Sequence, residues 1–179
     1  MKTTDKENKK FEVNLETERL SIRNVIAGDK GFLLELWTNA TVTKYMGGPR
    51  ERANLTKGVD ESIESPYEYE YDLWMLIEKS TNRIIGHCGL LEKEVEGKDE
   101  IEVIYVIDDA YWGNGYATEI ANSLIHYAFE DKGLNRVIAL IKPDNVGSEK
   151  VAIKCGMTLE KEIIRAENTK MYLYSKLKY

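Results

Sequence analysis

The chain has 179 residues, 42% hydrophobic and 31% charged, with a net charge of −6. That is the size of one ordinary domain with enough apolar residues for a core, and its acidity argues against nucleic acid as the main partner. No apolar run approaches about eighteen residues, so no membrane span is expected. Cys88 and Cys155 lack metal-ligand spacing and read as buried thiols of a cytoplasmic protein, with no metal expected.

The opening "MKTTDKENKK" has no apolar stretch of the kind a secretory signal needs. Residues 1–14 therefore read as a short flexible tail, and residues 15–179 as a single domain. "RLSIRNV" (19–25) alternates apolar and polar residues like a strand. Residues 27–46 carry Phe32, Leu33, Leu36 and Trp37, the stripe of a helix. Residues 50–65 are polar with a weaker stripe and read as a second helix. "YEYEYDLWMLIEK" and "RIIGHCGLLEKE" read as a hairpin joined by "STN", and "DEIEVIYVID" as a longer strand.

From residue 117, Ala117, Ile120, Ala121, Leu124, Ile125 and Ala128 recur at helical steps, and Gly133 is placed to end that helix. "LNRVIALIK" suits a strand covered on both faces. "NVGSEKVAIKCG" reads as a short helix capped by Asn145 and closed at Gly156. "MTLEKEIIRA" and "KMYLYSKLKY" close the chain as strands. The class is α/β (α+β), a mixed sheet of about seven strands flanked by about four helices.

The stretch "YWGNGYATE", Tyr111 to Glu119, lies between the strand ending near Ile107 and the helix beginning near Gly115. Glycine accepts positive φ, so Gly113 and Gly115 permit a tight turn. Their missing side chains also let a bulky anion approach the backbone. The first helical amides lack partners and carry the positive end of the dipole. A plain glycine turn and a pyrophosphate cradle both fit. A P-loop does not, because no Gly-Lys-Ser/Thr follows at its spacing. Nor does a dinucleotide fingerprint: its third small position is Thr118, and Asp144 falls too late for the acidic partner.

"DDAYWGNGYATEIANSLIHYAFE", followed by "LNRVIALIKPDNVGSEKVAIKCGM", resembles the acetyl-CoA-binding half of the GNAT N-acetyltransferases. "ETERLSIRNVIAGD" and "IEVIYVI" are similar to the RimJ/RimL-type ribosomal-protein branch, and the likeness spans about residues 15–178. The family's Gln/Arg-x-x-Gly-x-Gly/Ala signature falls on Trp112, Gly113, Asn114, Gly115, Tyr116 and Ala117. Trp112 departs from the Gln/Arg position, as is usual in that branch. The resemblance implies a mostly antiparallel sheet and direct acetyl transfer from acetyl-CoA to a primary amine. It implies that amides from Gly113 through Thr118 hold the CoA pyrophosphate. It also implies that Tyr105, Val106 and Ile107 run beside the pantetheine arm like an extra strand. A monomer or homodimer is expected.

Acetyl transfer needs a base for the ammonium, a group polarising the thioester carbonyl and a proton for the leaving thiolate. Glu102 is the candidate base. It shares a strand face with Ile104 and Val106, where burial would raise its pKa. A solvated or ion-paired Glu fits the same pattern, and Glu100 ranks lower. In the resembled family a Glu at this place often serves as base. Many relatives supply the thiolate proton from a Tyr, but the matching position here is Ala152. The resemblance makes Ser148 the substitute, near the CoA sulfur. Asn145 reads as a helix cap and a pantetheine contact.

The acceptor is either a protein N-terminus or a small cationic amine. Asp60, Glu61, Glu64, Glu68, Glu70 and Asp72 surround Tyr67, Tyr69 and Tyr71. Such a rim suits a cation, and it equally suits a solvated loop. The rival readings are an aminoglycoside or polyamine acetyltransferase and a catalytically silent acyl-CoA-binding module.

Overall fold

The structure, a computed structural model, describes residues 11–179. Most of the expected tail, residues 1–10, lies outside the described residues. Ordered packing starts ahead of residue 15. Val13 is buried, and its N–H donates to Asn24 Oδ1 at 2.8 Å. Strand β1 (Asn14–Glu16) then pairs with β2 (Leu20–Arg23). This strand raises the sheet to eight rather than about seven; three residues are too few for alternation to show.

The helix expected over residues 27–46 is broken. A 3-10 turn at Ala27–Asp29 leads into α1 (Lys30–Thr38), and α2 (Ala40–Thr43) follows. Asn39 interrupts them with extended backbone (ψ 116°). Its Oδ1 accepts the N–H groups of Thr41 and Val42 at 2.9 and 3.3 Å. An Asn side chain that satisfies free amides starts a new helix rather than continuing the old one. The polar helix α3 (Arg52–Glu64) comes next.

The remaining elements follow the expected order. They are β3 (Leu73–Glu78), β4 (Arg83–Val95), β5 (Lys98–Ile107), α4 (Tyr116–Glu130), β6 (Arg136–Ile141), α5 (Val146–Lys154), β7 (Thr158–Arg165) and β8 (Thr169–Leu177). The sheet order is β1-β2-β3-β4-β5-β6-β8-β7. Every pairing is antiparallel except β5 with β6.

Alternation along the strands makes two apolar layers. Trp74, Leu76, Leu90 and Val103 pack under Ile120, Leu124 and Ala128 of α4. Met75, Ile77 and Val106 pack under Leu33, Leu36 and Trp37 of α1 and Val59 of α3. The two faces of β5 therefore look into different halves of the molecule.

Strands β3 and β4 approach closely where β3 begins. A Cβ on Gly89 would lie 2.0 Å from the Asp72 carbonyl oxygen, and backbone cannot yield as a flexible side chain does. Gly89→Ala should therefore destabilise the fold by about 1–3 kcal/mol. Urea unfolding followed by circular dichroism should show a lower midpoint; an unchanged midpoint would refute the close approach.

Candidate functional site

β5 pairs with β4 along its whole length but meets β6 at one register only, Glu102 opposite Ile138. The bond from Asp108 N–H to the Ile85 carbonyl fixes the phase of the β4 ladder. Even-numbered residues of β5 turn their backbone groups to β4, so Val103, Tyr105 and Ile107 turn theirs toward β6. Past Ile138 the two strands separate. The Leu140 N–H of β6 donates to Glu102 Oε1 at 3.2 Å instead of to a β5 carbonyl. The Glu102 side chain thus sits at the mouth of a gap in the sheet.

Three residues were expected to line an extended ligand there, and their backbones are not equivalent. Val106 bonds in the β4 ladder, opposite His87. The Ile107 carbonyl accepts the Trp112 indole N–H at 2.8 Å. Tyr105 turns both its backbone groups into the gap.

The glycine turn stands at the same end of β5. Gly113 and Gly115 both have φ of +81°. Gly115 is the N-cap of α4, with no side chain capping the helix. The first bond back to it comes from Glu119 N–H at 3.1 Å, which leaves the amides of Tyr116, Ala117 and Thr118 without helical acceptors. A Cβ at Gly113 would meet nothing within 4 Å, so the amide surface is open. Asn114 braces the turn from its Nδ2 to the Tyr111 carbonyl at 3.0 Å.

Arg19, which the sequence pattern did not single out, lies against this turn. Its guanidinium covers the Tyr116 ring at 4.6 Å and donates to the Asn114 carbonyl at 3.0 Å. Glu119, in the first turn of α4, is the anchor that holds it. Its carboxylate accepts from Thr17 Oγ1 at 2.6 Å and from Arg19 Nε at 2.7 Å. Partial burial raises the Glu119 pKa, but these bonds outweigh it and hold the group below its ordinary value.

Helix α5 completes the constellation. Asn145 caps it, accepting from Ser148 N–H at 3.1 Å and donating from Nδ2 to Ser148 Oγ at 3.0 Å. The buried phenol of Tyr105 lies beside Ser148 and Cys155; burial pushes it up to about 12, with Ser148 pulling the other way. Ala152 is packed in the core, so no hydroxyl comes from that position. Cys155 is a core residue whose Sγ approaches the Thr118 carbonyl at 3.7 Å, tying α5 to the turn. His126 is exposed on α4.

Residues 19–158 match the family model for the acetyltransferase (GNAT) domain. The chain belongs to the GNAT acetyltransferase family. An uncharacterised N-acetyltransferase of Bacillus licheniformis is 31% identical over 173 residues, covering 92% of this chain and 96% of that one. A GNAT-family acetyltransferase of Bacillus anthracis superposes with a TM-score of 0.76 at 25% identity, over 92% of this chain and 98% of that one. Spermidine N-acetyltransferase of Vibrio cholerae, solved with CoA and spermine, gives 0.74 at 17% identity, over 90% and 96% of the two chains. The mostly antiparallel α/β fold is the fold of these neighbours. Among the described residues of this GNAT acetyltransferase, no side-chain group is arranged to hold a metal. No described helix is long and apolar enough to cross a membrane.

The two readings open for Glu102 separate on its surroundings. It is 9% exposed and forms no ion pair among the described residues. Burial raises its pKa above the ordinary 4.5, while Lys93, the Leu140 amide and Arg165 offset this in part. Glu100, two positions away, is instead bound by Arg136 Nε at 2.9 Å.

A carboxyl whose folded pKa is raised contributes its stability below the unfolded value and loses it as pH rises through the folded one. Glu102→Gln keeps an oxygen for Leu140 N–H and removes the desolvated charge. The variant should melt a few degrees above wild type at pH 8, with the difference closing as pH falls toward about 4.5. Thermal unfolding across that range checks the sign, and a destabilised variant at pH 8 would contradict it.

Proposed function

We propose that this GNAT acetyltransferase belongs to the RimJ/RimL-type branch and transfers acetyl from acetyl-CoA to a primary amine, with Glu102 as base. The observation that carries the reading is the buried Glu102 carboxylate, without an ion pair among the described residues, at the mouth of the β5–β6 gap. In support, the open amides of Gly113 to Thr118 suit a pyrophosphate, and no side chain competes for them. Trp112, Asn114 and Arg19 hold the turn in shape. Tyr105 offers its backbone to the pantetheine arm, and Asn145 borders it from α5.

Glu102, facing the α1–α3 side, takes the ammonium proton directly or through a water as the amine attacks the thioester carbon. The carbon–sulfur bond breaks, and Ser148, beside the Tyr105 phenol, passes its hydroxyl proton to the thiolate while taking up the second proton that the attacking nitrogen sheds, so that amide, CoA thiol and neutral serine result. An α-amine, with a pKa of about 7.7–8.0, gives up its proton more readily than an alkyl ammonium at about 10.4. One carboxylate base therefore suits a protein N-terminus better than a polyamine. The spermidine enzyme with the same fold keeps the small-amine acceptor as the second reading.

Calorimetric titration tests the donor site. Wild type should bind acetyl-CoA and not NAD, and Gly115→Glu, which puts an anion into the turn, should abolish binding. No binding by wild type would sink the proposal. On an accepted amine, Glu102→Gln should lower kcat by roughly 10²- to 10⁴-fold with acetyl-CoA affinity unchanged. The acidic limb of the wild-type kcat/KM profile should lie above the ordinary Glu value of 4.5. Unimpaired turnover by Glu102→Gln would remove it as base.

A further inference from the structure

A cavity of about 570 Å³ opens between α1, α3 and the sheet. That volume lies within the range of small-molecule sites, roughly 300–1,000 Å³. Leu33 and Trp37 of α1, Leu55 and Val59 of α3, and Leu73 and Leu91 of the sheet line it. Leu91 is the register partner of Glu102, and residues directly opposite in an antiparallel pair share a face. The floor of the cavity therefore adjoins the candidate base.

Its interior has little to offer a charge. The Trp37 indole N–H donates to His87 Nδ1 at 3.2 Å, and burial drives that imidazole down to about 4, so the pair is neutral in the physiological range. Three further charged residues border the space. The Glu51 carboxylate caps α3, accepting from the Ala53 and Asn54 N–H groups at 2.9 and 2.8 Å. Arg50 is exposed, its guanidinium over the Trp37 ring at 5.4 Å. Asp72 accepts the Leu73 N–H at 2.7 Å and stands where the cavity meets a smaller recess with Glu61, Glu64 and Glu68. This acidic rim draws amines in general and does not sort them. Sorting falls to the apolar lining, where a second ammonium would lose its water without gaining a partner.

Helix α3 keeps this space open. Leu55, Gly58, Val59 and Ser62 fall at i, i+3, i+4 and i+7, the stripe of one helix face, and all four line the cavity. A glycine inside a helix is less stable there than an alanine. Nothing in the fold requires one at 58: its backbone is helical, and a Cβ there would meet nothing within 4 Å. What the missing side chain does is leave room over the cavity.

We propose that this cavity takes the apolar body of the amine acceptor, so that the preferred acceptors are primary amines bearing an aromatic or branched aliphatic group. A free arylalkylamine and a protein N-terminus with a bulky apolar first residue share that chemistry. Polyamines, whose second charge would have to enter the lining, are disfavoured. This rests on the acetyl-transfer reading above and names the substrate class for it. Gly58 sets the specificity through the space it leaves and takes no part in moving the amine proton.

Matched acceptors test it, each with acetyl-CoA. Wild type should favour isopentylamine over ethylamine, and hexylamine over cadaverine (equal in length, with a second ammonium), by roughly tenfold or more in kcat/KM, mainly through KM. A Phe-Gly-Gly amide should likewise outdo a Gly-Gly-Gly amide, and setting it against phenethylamine tells the peptide source from the free amine. Gly58→Phe should cut the isopentylamine-to-ethylamine ratio roughly tenfold, and Gly58→Ala should cut it less. Calorimetry with acetyl-CoA checks that both variants are folded, and the wild-type comparisons stand without them. Equal use of large and small members among free amines and peptides alike, a preference for cadaverine, or a ratio unmoved in a Gly58→Phe variant that binds acetyl-CoA would each overturn the proposal. So would no turnover of any of these amines while wild type binds acetyl-CoA. Failure of wild type to bind acetyl-CoA would instead overturn the reading beneath it.

Discussion

The molecule depends on two parallel strands that pair once and then part. Glu102 and Ile138 hold β5 and β6 together; beyond them the backbone groups of Tyr105 and the amide of Leu140 have no strand to bond. Buried polar backbone must find some partner. Leu140 finds a side chain, and Tyr105 is left facing the gap. The crossover from β5 to β6 runs through α4, so the N-terminus of that helix necessarily stands at the carboxyl end of β5. Ligand sites in sheets with parallel strands form at this end. The gap and the open amides are therefore two consequences of one piece of topology.

The gap also gives the sheet a passage between its two faces. Tyr105 turns its side chain toward α4 and α5, and Glu102 turns toward α1 and α3. Acid and base candidates thus approach from opposite sides. Several other buried or half-buried carboxylates are held by cations: Asp29 by Arg23 at 2.7 Å, Glu119 by Arg19 at 2.6 Å, Glu100 by Arg136 at 2.9 Å. These pairs fasten β2 to the start of α1, β2 to α4, and β5 to β6. Glu102 has one amide as a hydrogen-bond partner and no ion pair among the described residues, so burial outweighs the pull of Lys93 and Arg165 and its proton affinity stays high. A fold that neutralised every buried carboxylate would be more stable and chemically inert.

How far the sequence could be read follows from how each part is built. The long, periodic helix α4 and strand β5 were legible because burial on one face imposes a period. The break at Asn39 was not, since the apolar stripe runs on past it and only the local competition of one side chain stops the helix. Asn145 was legible as a cap because capping is a contact three residues long. Arg19 was missed because its partners, Asn114 and Glu119, lie about a hundred residues away and no local pattern announces them. The fate of Ala152 could be read only against a resemblance. The phenol beside Ser148 comes from a strand, which sequence spacing does not bring near α5.

The same distinction explains why the glycine turn is easier to recognise than the cavity over Leu91. A turn that opens backbone amides needs little from sequence beyond residues that tolerate φ > 0 at Gly113 and Gly115. That requirement is short, local and shared by any chain with the same turn. The cavity over Leu91 is made of side chains from α1, α3, β3 and β4, and each can change without disturbing the turn. Its lining is set by side chains distant in sequence, such as Trp37 and His87, whose Nε1–H and Nδ1 meet at 3.2 Å. A motif records the first kind of constraint. Only the packed structure records the second.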